Sequence, residues 1–509
     1  MIATSHPVAV EAGLDVLRSG GNAVDAAVCA AATLGVVEPM STGIGGDCFA
    51  LVYEAKTGRL HGLNGSGRTP QAASIDEVRL AGHQTMPQQG ILSVSVPGAL
   101  HAWQALLERL GSLPLGELLQ PAIAAAREGF TLTPTVARDW ATQRAELERG
   151  VNTEVYLPQG RTPAAGERFV QSQLTCSLEA VAHQGVGAFY AGELTEAIVE
   201  QSRRLGGWLS HDDFAQHCST WVDPISTDYR GHTVYEIPPN GQGVITLEAL
   251  NLLETFPLED MDTAQVLHVQ IEALKLAFAD AWQHVADPAC VDVPVAGLLS
   301  RAYAQERRAL IGTCALQHPT HGFPPSGTIY VTVVDKAGNV ASLINSIFMH
   351  FGAKVVVSDT GIALQNRAAL CSLTPQHPNA LAPRKRPYHT IIPAMVFKDD
   401  YPWLSFGVVG GYMQPQAQVQ ILSHLIDGGQ ELKWAVDAPR FRWSEGAKVA
   451  LEAAFSGKVH EALAQLGHRA TRTQGHGGFG GAQAIVIDRE AGLLHGASDP
   501  RKDGCVMGL

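Results

Sequence analysis

The chain has no long hydrophobic run. Nowhere do about 18 apolar residues follow one another, so no stretch reads as a membrane-spanning helix. Basic residues are in the minority, with 36 Lys and Arg against 49 Asp and Glu and a formal net charge of -13. That balance argues against a nucleic-acid or anionic-membrane partner, because both reward a basic face. Cysteine is sparse as well. The eight thiols, at 29, 48, 176, 218, 290, 314, 371 and 505, form no CxxC pair and no metal-like cluster. Several sit in apolar contexts, as Cys29 does, which is the pattern of scattered buried thiols in a reducing compartment and not of a disulfide framework. The opening residues, MIATSHP, carry no basic segment and no apolar core of a secretory signal, so the expected location is cytoplasmic.

Signature motifs are missing too. There is no GxxxxGK[ST], no HExxH and no GxSxG, which removes the phosphate-loop, zincin and hydrolase-elbow readings. Residues 475–480, GHGGFG, fit G-x-G-x-x-G, but a strand-like run, AQAIVI, follows where a dinucleotide site needs a helix. Twenty His residues are scattered without ligand spacing, so neither a metal nor another cofactor is expected.

What is present is a chain of 509 residues with 52 glycines, long enough for a large core and rich in tight turns. Residues 7–18 put Val10, Leu14 and Leu17 on one helical face, and Gly20-Gly21 end it. Asn22 then caps an Ala-rich segment, 23–37, that is apolar nearly all round and therefore reads as a buried helix. A Gly-rich turn, 41–47, leads to strands at 48–53 and 60–63. Helices follow at 99–110, 115–128 and 264–285, and residues 286–327 form an interrupted connector. Beyond it the pattern returns to strands at 355–357, 391–397, 403–409, 482–487 and 493–496, with one helix at 414–425. Strands thus use both ends of the chain, as in one globular unit and not in independent domains.

At the centre lies SGTIYVTVVD, residues 326–335, in which a turn-rich loop hands Thr328 to the start of a strand behind Gly327. A turn at 336–339 and a second β-branched run, 340–344, complete a hairpin. A Thr in that place is ordinarily structural.

The segments GGNAVDAAVCAAATLGVVEPMSTGIGGDCFALVY, LNGSGRTP, GTIYVTVVDKAGNVASLINSIFMHFG, LAPRKRPYHTIIPAMV, FGVVGGYMQPQ and HGASDPRKDGCVMG decide otherwise. In this order they resemble the γ-glutamyltransferase family (γ-glutamyltranspeptidases, glutathione hydrolases), over nearly the whole chain. The resemblance implies an α+β fold, the αββα sandwich of the N-terminal-nucleophile hydrolases. It implies a precursor that cuts itself between Gly327 and Thr328, giving a large subunit of 1–327 and a small one beginning at Thr328, and it leaves a homodimer of these open. Gly327, without a side chain, is expected to take a strained turn exposing its carbonyl. The freed α-amine, with a reference pKa of about 7.7–8.0, would serve as base for its own hydroxyl. Ser346 matches the hydroxyl that supports the nucleophile, and Gly410-Gly411 match the pair whose N–H groups bind the oxyanion.

Departures from the family concern the substrate. Ile75 stands where γ-glutamyl enzymes hold the α-carboxylate with Arg, and Leu370 where they hold the α-amine with Asp. Two Ser become His389 and Thr390, and a substrate-contacting Asn becomes Phe348. Both charges that read an amino acid's zwitterion are gone. Arg367, one turn from the lost Asp, is expected either to hold a carboxylate bidentately or to make a surface or interface salt bridge. The expected substrate is a small carboxylate-bearing amide, oxamate-like or glutaryl-type. The alternatives are a γ-glutamyltransferase or glutathione hydrolase, and a catalytically silent family member that binds.

Overall fold

The computed structural model describes residues 1–317, 327–475 and 477–509. The turn-rich loop expected at 321–326, and residue 476 of the Gly-rich run, lie outside the described residues.

Two antiparallel sheets face each other between layers of helices. The first runs Cys505–Met507, Ile2–Thr4, Gly327–Val334, Val340–Phe348, Asp47–Glu54, Arg59–Asn64 and Thr220–Val222. The second runs Leu493–Ser498, Gly481–Asp488, Tyr401–Val409, Ala394–Lys398, His232–Glu236 and Ile225–Tyr229. The first therefore mixes early and late segments, as the distribution of strand-like runs implied, whereas the second joins late strands to a mid-chain pair, Ile225–Tyr229 and His232–Glu236, for which no strand was expected.

Alternation along the strand after Gly327 shows how it is sandwiched. Ile329, Val331 and Val333 face a core shared with the helix Ala23–Val37, while Tyr330 and Val334 face the opposing sheet. That inter-sheet core joins Phe49, Tyr330 and Ile344 of one sheet to Met395, Val409 and Ile485 of the other. Contact there is close enough that Gly407 is needed, since a Cβ would collide with the Tyr330 ring. On the far side of the second sheet, Gly243–Leu253, Thr263–His284 and Met413–Ile426 close the fourth layer. The expected αββα layering is the one found. Thr328, two residues before Tyr330, takes the parity that points between the sheets.

Local signals held where they had a mechanism behind them. Asn22 caps the Ala-rich helix, whose 15 residues are all buried. The turn after the strand Gly327–Val334 is tied by Asp335, which accepts the Ala337 and Asn339 N–H groups at 2.9 and 3.0 Å. Two readings change. The helix expected at 115–128 breaks into Leu115–Leu118 and Gln120–Glu128, as Pro121 cannot donate a backbone hydrogen bond across the junction. Residues 355–357 form isolated bridges to Val151 and Ala363 and no strand; Val355, Val356 and Val357 are apolar because they are buried.

Candidate active site

The hairpin sets the site. Val340–Phe348 pairs with Gly327–Val334 in regular register from Val340 to Asn345, then shifts so that Phe348 lies opposite Gly327. This bulge leaves Ser346 beside Thr328, an instance of a bulge re-aiming a side chain. Thr328 Oγ1 is 3.1 Å from Ser346 Oγ. Both hydroxyls meet the Gly327 carbonyl oxygen, Thr328 Oγ1 at 2.7 Å and Ser346 Oγ at 2.8 Å. The Phe348 N–H donates to Ser346 Oγ at 2.9 Å and holds it in place.

Gly327 does not take the strained turn expected of it. It is the first residue of the strand and is absent from the residues with positive φ. Its bareness serves packing instead: a Cβ would stand 2.6 Å from the His350 ring, 2.8 Å from Met40 O and 3.0 Å from Ser41 Cα. The Gly-rich run before Asp47 works the same way. Gly46 N donates to Gly43 O in a tight turn, and a Cβ on Gly46 would collide with the Ser346 carbonyl.

Gly410 lies with Thr328 on a cavity of about 450 Å³, a volume in the usual range of ligand pockets. Gly410 and Gly411 link the strand Tyr401–Val409 to the helix beginning at Met413, with φ of 118° and 61°. Among the described residues neither N–H has an acceptor. Gln242 Nε2 donates to Gly411 O at 2.9 Å and to Thr390 O at 2.7 Å, fixing this turn against the layer behind it.

That layer contains the remaining predicted residues, and none of them lines the cavity. Arg367 is 0% exposed. Its Nη1 donates to Thr390 Oγ1 at 2.8 Å, its Nη2 to Ser346 Oγ at 3.3 Å, and its guanidinium lies 4.5 Å from the centre of the Phe348 ring. The surface or interface salt bridge is thereby excluded, and a direct contact with a substrate carboxylate is not what this placement offers. His389 Nε2 donates to Asp47 Oδ2 at 3.0 Å. Asp47 Oδ1 also accepts from Gly67 N, Gly98 N and Gln365 Nε2 at 3.0, 3.1 and 3.0 Å.

Charges in this layer are settled by burial against neighbours. Burial lowers Arg367 to about 10, with Asp47 opposing, so the guanidinium remains a cation. Burial and the Arg367 charge lower His389 to about 3, so it is neutral and donates to Asp47. Burial pushes the Asp47 carboxyl up, yet His389 and Arg367 together hold it below its ordinary value. One cation and one anion, with a neutral imidazole between, stand behind the two hydroxyls.

Ile75 and Leu370, the two positions expected to bear on the substrate, fall in apolar surroundings. Ile75 packs against a small cluster that includes Ala73, Val78, Ala368 and Cys371, and Leu370 packs against the helical core of the second sheet. Asp47 was missed as a site residue, because a single carboxylate after a Gly-rich turn has no distinguishing pattern. The cavity-lining Asp139, His350, Arg442 and Lys502 were missed because they come from four distant segments.

Residues 9–509 match the family model of the gamma-glutamyltranspeptidases. A glutathione hydrolase-like proenzyme of Bacillus subtilis, YwrD, is 38% identical, with 100% of this chain and 98% of that protein covered. An acylase proenzyme, ACY 1 of a Pseudomonas species, is 35% identical over 100% of this chain and 93% of its own. The crystal structure of a cephalosporin acylase from Bacillus halodurans superposes with a TM-score of 0.95 at 44% identity, covering 99% of this chain and 95% of that one. With this fold, and with relatives made as proenzymes over the full length, the chain belongs to the gamma-glutamyltranspeptidase family as an amidohydrolase of the N-terminal-nucleophile type.

Proposed function

We propose that the protein cuts itself before Thr328 and then hydrolyses amides whose acyl group carries a carboxylate but no α-ammonium. The observation that carries this reading is the pair of hydroxyls, Thr328 and Ser346, converging on the Gly327 carbonyl at the wall of the cavity.

In self-cleavage, Thr328 Oγ adds to the Gly327 carbonyl carbon while Ser346 donates to the developing oxyanion. The C–N bond breaks, the hydroxyl proton passes to the Thr328 nitrogen, and an ester joins Gly327 to Thr328. Water hydrolyses that ester, leaving a Gly327 carboxylate and a Thr328 with free amine and hydroxyl. In turnover the amine takes the hydroxyl proton as Oγ attacks the substrate carbonyl, then gives it to the leaving nitrogen. The Gly410 and Gly411 N–H groups, without acceptors among the described residues, suit the tetrahedral oxyanion. Water then releases the acid and restores Thr328.

The substrate class is supported by the residue types at 75 and 370, the places where γ-glutamyl enzymes carry the Arg and Asp that read the zwitterion. An apolar side chain at each place leaves an amino acid's zwitterion unpaired, and an unpaired buried charge costs several kcal/mol. The intact set of Thr328, Ser346, Gly410 and Gly411 argues against a silent binding protein.

On a denaturing gel the purified protein should give two fragments, the smaller starting at Thr328, and Thr328→Ala should stay a single, inactive chain. An intact chain that is nonetheless active would remove Thr328 as nucleophile. Within a panel of γ-glutamyl, glutaryl and oxamate amides, the γ-glutamyl amide should be the poorest; fast γ-glutamyl release would overturn the reading of Ile75 and Leu370.

A further inference from the structure

Four basic side chains line the cavity that holds Thr328: Arg138, Arg442, Arg501 and Lys502. Three are answered by carboxylates. Arg138 and Lys502 reach Asp139 at 3.0 and 3.3 Å, and Arg501 pairs with Asp499 at 3.0 Å and with Glu452. Arg442 differs. Among the described residues no carboxylate lies within ion-pair distance of it, and its one hydrogen bond is a long one, 3.3 Å from Nη1 to Gly478 O. Its Nε is sequestered without an acceptor. Burial lowers its pKa, and among the described residues no neighbouring charge opposes that effect.

The place is also built for the side chain. Arg442 belongs to Phe441–Glu445, a strand paired with Lys448–Glu452, so its backbone is fixed. Gly478, at φ 88°, leaves room for the guanidinium, which any Cβ there would overlap. A half-buried guanidinium facing the nucleophile's cavity, with unused donors in a planar fork, is suited to a carboxylate.

We infer that Arg442 receives the far carboxylate of the acyl group, so that the enzyme selects monoamides of dicarboxylic acids over amides of neutral acids. This rests on the amidohydrolase reading above and moves the carboxylate contact from Arg367, behind Ser346, to a residue on the cavity wall. The leaving amine is not read by this contact. Length of the acid is set by the span from Thr328 to Arg442, which a homologous series would measure.

The test compares glutaryl and pentanoyl p-nitroanilides, equal in chain length and differing in the terminal carboxylate, on wild type, Arg442→Gln and Arg442→Lys. Each variant is first checked for self-cleavage on a gel, which reports a folded site. Wild type should prefer the glutaryl substrate. Arg442→Gln should raise its KM about ten- to hundredfold, as expected for one charge-assisted contact, and leave the pentanoyl rate unchanged; Arg442→Lys should recover part of the loss. If wild type treats both substrates alike, or if Arg442→Gln slows both equally, the assignment of Arg442 is overturned while the amidohydrolase reading stands. Should self-cleaved wild type hydrolyse neither these nor any other amide, the amidohydrolase reading falls and the assignment with it. Should Arg442→Gln not self-cleave, Arg442→Lys decides: a glutaryl KM unchanged from wild type in that variant sinks the proposal, and a selective rise upholds it.

Discussion

Replacing Ser346 by Ala separates the two roles that this hydroxyl combines. Before the reaction the Gly327 carbonyl oxygen has two side-chain donors, Thr328 Oγ1 at 2.7 Å and Ser346 Oγ at 2.8 Å. Once Thr328 Oγ turns to attack the carbon it ceases to donate, and Ser346 is the side-chain donor left to the oxyanion. Losing one donor of that kind costs about 2.7–4 kcal/mol of transition-state stabilisation, or a rate about 10²–10³ lower. The fold pays separately: the Phe348 N–H loses its 2.9 Å acceptor and Arg367 Nη2 its 3.3 Å one. A buried donor left unsatisfied costs roughly 1–3 kcal/mol. Arg367 keeps Thr390, which limits the damage. The assay is a time course of fragment appearance on denaturing gels from freshly made precursor, with thermal unfolding measured on the same samples. Cleavage should slow by at least about a hundredfold while the chain still unfolds cooperatively. Self-cleavage at the wild-type rate by a folded Ser346→Ala precursor would refute the reasoning, because no second donor would then have been needed.

Gly410→Ala should act on the other reaction. At φ 118° a side chain is strained, and the added Cβ would meet Gly480 Cα at 3.2 Å, so the turn must move and carry its N–H groups with it. Self-cleavage, which in the proposed mechanism uses Ser346, should proceed, while kcat on a good amide falls about 10²-fold; equal slowing of both reactions would count against a separate oxyanion site. Stability should fall with acid. His389 and His217 are held neutral by burial, each near a pKa of about 3. The unfolded chain therefore binds their protons first, and between pH 6.5 and about 3 each histidine subtracts about 1.4 kcal/mol per pH unit. Denaturant midpoints at pH 7, 5.5 and 4.5 should decline steadily; a flat profile would mean that these rings are protonated in the native state.

The sequence is most legible where local chemistry and periodicity act alone. The cap at Asn22, the apolar girth of Ala23–Val37 and the tight turn at 336–339 depend on neighbours within a few residues, so their pattern suffices. Thr328 was legible only through the accumulated segments in family order, since a Thr opening a strand has no signal of its own. Arg367 shows the opposite case. Its proximity in sequence to the lost Asp suggested a substrate contact, but one turn of backbone does not say which way a side chain faces, and the structure turns it onto Phe348 and behind Ser346.

By itself the sequence determined the layered class of the fold, the hairpin headed by Thr328 and the apolar residues at 75 and 370, because each is a property of residue type and order. Tertiary structure alone decided that Ser346 reaches the Gly327 carbonyl, through a shift in strand register. It also decided that Gly327 is bare for want of space and not for strain, and that Arg442 is, among the described residues, a cation on the cavity wall without a carboxylate. These depend on which distant segments come into contact, and close packing, not local propensity, fixes that.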